Sequence, residues 1–275
     1  MAQRLMVPVN SGELDVLVGG RDGPGTIATL HPTESMHEVL PLLAEVTGAR
    51  VVSVNPRGVG RSSPHRDIRD ATIDGMAADL DLVRQALGHR RWVIWGMSGG
   101  GLVALASARW HVEGMEALIV DSTGPCFASM LADPACLLSP LHRRWRAVLA
   151  GAAARDSEGQ LDWAAVPDVG WVLRRGGGPP LVVSTREPSV QLRRVMPSIL
   201  AFDARPWLGA IDVPTLVLAG SADQVAPLAQ QRVLHEAIPG ASLAVIDGAG
   251  HVPIGEQLDD VGLLVRRFLF QRVWA

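Results

Sequence analysis

Lysine and tyrosine are absent from the 275 residues, and all 25 basic side chains are arginine. Without lysine there is no Schiff-base nucleophile, no anchor for pyridoxal phosphate and no P-loop lysine. A Tyr/Lys pair for hydride transfer is excluded on the same ground. Cysteine is scarce: Cys126 and Cys136 are the two in the chain. The N-terminal MAQRLMVPVN holds no apolar run of secretory length, so the two are expected as reduced structural thiols in a cytoplasmic protein. Long hydrophobic runs are missing too. The longest uncharged stretch, Trp92 to Ala108, is marginal for a bilayer and is interrupted by Gly96, Gly99, Gly100 and Gly101, so no membrane span is expected. Net charge is −3 and no face of the sequence is obviously basic, which argues against nucleic acid and anionic membranes as partners.

What is present is a globular composition, with 48% hydrophobic and 19% charged residues. The length suits one large domain, or one domain carrying an insertion, with a core that needs no staples. Short β-like runs alternate with helical patterns. An opening hairpin is predicted from Leu5 to Val9 and Glu13 to Val18, turning at Asn10-Ser11-Gly12. A strand from Ile27 to His31 precedes a helix over Ser35 to Thr47, closed by Gly48. Arg50 to Val54 is the next strand, followed by a loop over residues 55–62. Ile73, Met76, Ala77, Leu80, Val83 and Leu87 form one apolar stripe of a helix closed by Gly88. Asp74, Asp79 and Asp81 lie largely off that stripe and read as a solvated face.

Strands are also predicted at Trp92 to Trp95, Ala117 to Val120, Thr215 to Ala219 and Ser242 to Ile246. Helices are predicted at Gly99 to Trp110, Pro227 to Ile238 and Glu256 to Trp274. This alternation implies a mainly parallel sheet covered by helices on both faces. Residues 124–212 break the rhythm and read as an inserted, mostly helical subdomain, with Trp145, Trp163, Trp171, Trp207 and a flexible run from Arg174 to Pro180. The tryptophans either line an apolar pocket or fill the insertion's own core.

The chemistry-bearing pattern is Gly96-Met97-Ser98-Gly99-Gly100, a G-x-S-x-G in which a strand ends and a helix begins at the serine. Such a strained turn needs small residues beside it. A serine hydroxyl is a weak nucleophile and requires a base held by an acid. Asp223 follows the strand at Thr215 to Ala219, and His251 follows the strand at Ser242 to Ile246. Both fall at the carboxyl edge of the sheet, where open α/β sheets place their sites. Asp121 also ends a strand and is the rival acid; its alternative is to cap the turn through Ser122 and Thr123.

These residues, with His31-Pro32, Asn55-Pro56-Arg57-Gly58-Val59-Gly60-Arg61-Ser62, Gly220-Ser221-Ala222-Asp223 and Gly250-His251, resemble the α/β-hydrolase superfamily over roughly 3–123 and 213–275. The family's usual D-x-R-G-x-G-x-S loop appears with Asn55 in place of Asp. The resemblance implies an α/β-hydrolase core over 1–123 and 213–275, and an inserted cap or lid over 124–212. It implies Ser98 as nucleophile, His251 as general base then acid, and Asp223 as orienting acid. The oxyanion hole should use the Gly99 N–H and a donor from the loop after the third strand. There the family commonly shows His-Gly-x, whereas this chain has His31-Pro32-Thr33. Pro32 has no N–H, so Thr33 is expected to supply the donor.

His31, Met97, Trp171 and Val252 are expected in the substrate pocket, and Glu34 either projects toward it or stays in water. Gly58 and Gly60 serve a tight turn. The remaining histidines show no metal-ligand spacing, so neither metal nor cofactor is expected. The expected activity is cleavage of a small to medium apolar carboxylic ester or lactone through an acyl-enzyme. A C–C bond hydrolase, a thioesterase or cyclase, and a non-catalytic hydrolase-like binding protein stay open as alternatives. The partner is a small-molecule substrate, with a homodimer left open.

Overall fold

A computed structural model describes residues 2–67, 71–136, 139, 170–173, 181–184 and 190–274, with backbone alone for 170–173, 181–184 and 190. Eight strands form the main sheet. The opening hairpin, β1 (Gln3–Val9) and β2 (Gly12–Gly20), is antiparallel, and β2 also runs antiparallel to β4 (Arg50–Val54). Beyond that pair all pairings in this sheet are parallel, through β3 (Thr26–Leu30), β5 (Trp92–Met97), β6 (Met115–Asp121), β9 (Thr215–Gly220) and β10 (Ser242–Ile246). Across the sheet the order is β1-β2-β4-β3-β5-β6-β9-β10. The chain leaves β3 for β4 on one side and places β5 on its other side. That reversal of winding direction opens a crevice at the carboxyl ends of β3 and β5.

Strand alternation sorts the core into two layers. Trp92 and Ile94 join Met76, Leu80, Leu102 and Leu105 on the face covered by α2 (Ile73–Ala86) and α3 (Gly99–Trp110). Val93, Trp95 and Met97 join Leu43, Val261 and Leu269 on the face covered by α1 (Leu40–Thr47) and the last helix, Leu258–Arg272. No helix among the described residues is long and apolar enough to cross a membrane. Cys126 and Cys136 are both buried and neither is in a disulfide.

Two sequence expectations are corrected. Helix α1 begins at Leu40 rather than Ser35, with Pro41 in its first turn, where a missing N–H costs nothing. Ahead of it the chain turns, the Val39 N–H donating to Met36 O at 3.1 Å and His37 Nδ1 meeting Ser53 Oγ at 2.9 Å. Between β6 and β9 the described residues hold two helices, α4 (Phe127–Ala132) and α5 (Val190–Ala201), and an antiparallel pair, β7 (Gly170–Leu173) and β8 (Leu181–Ser184). The run 174–180 lies between those strands and outside the described residues. So do Trp145, Trp163 and the side chain of Trp171. Trp207 packs edge-on to Phe202, 6.1 Å between ring centres, against the α2/α3 core layer. The chain just after β6 meets the chain just after α5, with Ala204 N–H donating to Pro125 O at 2.8 Å beside a Cys126–Asp203 bridge.

The second correction concerns the acidic face of α2. Asp79 is buried, and its two oxygens accept Nε and Nη2 of Arg57 at 2.7 and 2.8 Å. Arg57 also donates from Nη1 to Ser11 O at 3.0 Å, so one guanidinium ties the loop after β4 to α2 and to the hairpin turn. Helix periodicity could not show this, because the partner comes from another element. Asp79→Ala strands a buried guanidinium and should cost about 3–5 kcal/mol. Replacing both residues with apolar ones of similar volume should restore most of that loss. Urea unfolding of the two variants checks the contrast.

The same loop explains Asn55. Its Nδ2 donates to Asp15 Oδ2 at 2.9 Å, and Asp15 is fully buried while also accepting from Arg4 and from the Arg61 N–H. A carboxylate at position 55 would oppose another carboxylate, whereas an amide donates to it. The Arg4 guanidinium holds the Asp15 carboxyl well below the usual carboxylate range.

Candidate functional site

One residue, Ser98, separates the end of β5 from the start of α3, and it takes φ 52 and ψ −120. A side-chain-bearing residue is destabilised by about 1–3 kcal/mol in such a region and is held there only by its surroundings. Those surroundings are visible. The Ser98 N–H donates to Asp121 O at 2.8 Å and the Gly101 N–H to Ser98 O at 2.9 Å. A Cβ on Gly96 would sit 2.3 Å from Gly100 O, and one on Gly100 would sit 2.5 Å from Leu30 O. Glycine at both positions lets α3 fold back against β5 and β3, and that close return forces the serine out of line.

The fold brings three distant side chains into one line. Ser98 Oγ is 2.9 Å from His251 Nε2, and His251 Nδ1 is 3.1 and 3.0 Å from the two oxygens of Asp223. Asp223 Oδ1 additionally accepts the Val225 and Ala226 N–H groups at 2.8 and 3.0 Å, and the Asp223 side chain is fully buried. These bonds set the carboxylate's direction before the imidazole meets it. The loops carrying Asp223 and His251 are pressed together at Gly220, where a Cβ would lie 2.2 Å from Gly250 O.

The rival acid touches this line through its backbone carbonyl, which accepts the Ser98 N–H, while its carboxylate bonds elsewhere. Asp121 is fully buried, accepts from Ser122 Oγ at 2.9 Å and from Trp95 Nε1 at 3.3 Å. Burial pushes its carboxyl up to about 7, against the lowering effect of those two bonds and of His251. Its bond to Ser122 matches the turn-capping alternative.

The remaining predicted residues surround Ser98 unequally. Gly99 opens α3, where the first N–H groups have no acceptor inside the helix. Its Cα is flanked by His31 Nε2 and the Pro32 ring, each 3.0 Å from where a Cβ would stand. The Thr33 N–H and hydroxyl are both turned to His31 Nδ1, at 3.4 and 3.3 Å. Glu34 is 67% exposed, with one oxygen 3.4 Å from that same nitrogen. Met97 is buried in the layer with Trp95, and Val252 packs at its border.

Two further residues escape a reading of the sequence. Glu256 accepts the Gly250 N–H at 2.7 Å and the Val252 N–H at 3.1 Å, so its two oxygens clamp the backbone on both sides of His251. An acid five residues beyond the histidine is the signal that could have found it. Gln191, in the insertion, donates from Nε2 to Pro32 O at 3.1 Å across 159 residues of sequence; nothing local announces that contact. Among the described residues no three His, Cys, Asp or Glu side chains are grouped to hold a metal ion.

The chain that carries this arrangement is similar to known sequences. A family model described as alpha/beta hydrolase fold matches residues 24–159 and 196–257, well over half of the chain. The chain belongs to the alpha/beta hydrolase fold family. It is 28% identical over 244 residues to a proline iminopeptidase of Xylella fastidiosa (strain Temecula1), covering 74% of each chain. It is also 28% identical over 204 residues to a pimeloyl-[acyl-carrier protein] methyl ester esterase of Neisseria meningitidis serogroup B (strain MC58), covering 72% of this chain and 74% of the esterase. Some matches are local: with the proline iminopeptidase of Neisseria gonorrhoeae, 35% identity spans 83 residues, 27% of that enzyme. Among solved structures, an alpha/beta fold family hydrolase from Bacillus anthracis superposes with TM-score 0.74 at 18% identity, covering 98% of this chain and all of that one. A proline iminopeptidase-related protein from Thermus thermophilus gives 0.73 at 23% identity, covering 99% of each. At these identities the structural likeness speaks for the fold.

Proposed function

We propose that this α/β-hydrolase-family chain is a serine hydrolase whose nucleophile is Ser98. The observation that carries the reading is the continuous line of hydrogen bonds from Ser98 Oγ through His251 to Asp223. His251 Nε2 takes the hydroxyl proton as Oγ attacks the carbonyl carbon, and Asp223 holds the imidazole in the tautomer that leaves Nε2 free to accept. The tetrahedral oxyanion is held at the Gly99 N–H, aided by the positive end of α3, and by a donor from the loop after β3. Collapse expels the leaving group, which receives the proton from His251. Water then enters and attacks the acyl carbon while giving a proton to His251; as the second tetrahedral adduct collapses, His251 returns that proton to Ser98 Oγ and the acid leaves.

The substrate we propose is a carboxylic ester or lactone with a small to medium apolar acyl part, and the insertion 124–212 is the cap over it. A relative named as a methyl ester esterase supports the ester reading. Proline iminopeptidase relatives of equal identity favour a second reading, hydrolysis of an N-terminal prolyl amide. Two assays test the choice. A fluorophosphonate probe should label Ser98, and absence of labelling would argue for a non-catalytic binding protein. With p-nitrophenyl butyrate and proline p-nitroanilide offered in parallel, the larger kcat/KM is expected on the ester; the opposite order selects the peptidase.

Glu256 is a positioning residue in this scheme. Glu256→Ala releases the backbone on both sides of His251 and should lower kcat roughly 10- to 100-fold with KM little changed, the scale expected for a misplaced base. Glu256→Gln keeps one acceptor and should fall between the alanine variant and the unaltered enzyme. Steady-state kinetics on the preferred substrate checks the order.

A further inference from the structure

The loop after β3 poses a chemical problem for the proposed mechanism. Pro32 has no N–H to offer, and the Thr33 N–H is already directed at His31 Nδ1 at 3.4 Å. Yet a second donor beside the Gly99 N–H is worth a large factor in rate.

His31 resolves it. Two groups face Nδ1 of His31: the Thr33 N–H, which can only donate, and a Glu34 oxygen 3.4 Å away on a side chain 67% exposed to water; we assign Nδ1 as acceptor from the Thr33 N–H, which leaves the ring's proton on Nε2. Nε2 makes no hydrogen bond among the described residues. It lies against the Cα of Gly99, 3.0 Å from the position a Cβ would take. The ring is close enough to His251 for the two imidazoles to influence each other's charge, and burial holds His31 below the usual histidine range, which favours the neutral ring. The ring is anchored from Thr33 on one side, and the Pro32 carbonyl is anchored by Gln191. An unspent donor on a fixed ring, packed against Gly99, the residue that opens the helix after the nucleophile, is what an oxyanion needs.

The geometry points to His31 Nε2–H as the second oxyanion donor, replacing the backbone N–H that the His-Gly-x loop supplies in this family. The inference rests on the serine-hydrolase reading. The side chain transfers no proton: it donates one hydrogen bond that strengthens as the carbonyl oxygen becomes negative.

Two variants separate the donor from the bulk. His31→Gln places an amide N–H at similar reach, and His31→Leu keeps the volume without a donor. We expect His31→Leu to lower kcat about 100-fold with KM within about twofold, the pattern of an interaction made only in the transition state. Affinity for phenylboronic acid, whose adduct with the serine bears an oxygen in the same place, should fall in parallel. His31→Gln should recover a large part of both. Equal kcat in the Leu and Gln variants, or a His31→Leu enzyme within about threefold of the unaltered one, overturns the inference. Fluorophosphonate labelling of the unaltered enzyme distinguishes the two levels. With labelling and no effect of His31, the donor assignment fails alone; without labelling, the serine mechanism and this donor fall together.

Discussion

Ser98→Ala should lower kcat by up to roughly a millionfold while leaving the fold intact, because in the proposed mechanism the three side chains act as one device and the loss of one removes its benefit. What survives is catalysis from bound geometry and the oxyanion site. The same position yields a second result of opposite sign. Ser98 stands at φ 52 and ψ −120, a backbone state open to glycine and strained for any other residue. Ser98→Gly should therefore be as inactive as Ser98→Ala yet more stable by about 1 kcal/mol. Kinetics on p-nitrophenyl butyrate and urea unfolding of both variants check the pair. An alanine variant that keeps a measurable fraction of its turnover would remove Ser98 from the chemistry. A glycine variant no more stable than the alanine one would mean the turn is not strained in solution.

Asp223→Asn should lower kcat about ten-thousandfold, since an amide favours the wrong imidazole tautomer, while Asp121→Asn should change it far less. The ranking follows from contact: Asp223 bonds His251 Nδ1 through both oxygens, whereas the Asp121 oxygens are taken by Ser122 and Trp95. Reversed ranks would assign the orienting role to Asp121. The Asp121 variant carries its own pH signature. Its carboxyl is pushed up to about 7 by burial, against about 3.9 in an unfolded chain. The folded form thus holds a proton that the unfolded chain has released, and this contribution to stability is complete below about pH 4 and lost as pH rises through about 7. An asparagine has no proton to lose. The stability of Asp121→Asn relative to the unaltered protein should therefore increase between about pH 5 and about pH 8. A constant difference in urea midpoints across that range would place the Asp121 carboxyl in the ordinary range.

Much of the architecture was legible because its causes are local. The hairpin turn at residues 10–12, the apolar stripe from Ile73 to Leu87 and the β-rich run at Trp92 each declare themselves within a short stretch of neighbours. Legibility failed where a distant partner decided the outcome. Asp79 read as solvated because nothing near it in sequence reveals that Arg57 covers it. The pairing of β7 with β8 escaped because such short strands cannot show a period against a helical background.

Ser98, Asp223 and His251, their order, and the glycines that let their loops approach follow from the sequence alone, because a strained turn and strand-end placement are properties of a few neighbouring residues. The pairing of His251 with Asp223 rather than Asp121, the clamp of Glu256, the reach of Gln191 and the setting of His31 against Thr33 belong to the tertiary structure. Two carboxylates that each end a parallel strand are equivalent in one dimension. The packed loops distinguish them, by leaving one within reach of the imidazole and sealing the other beneath it.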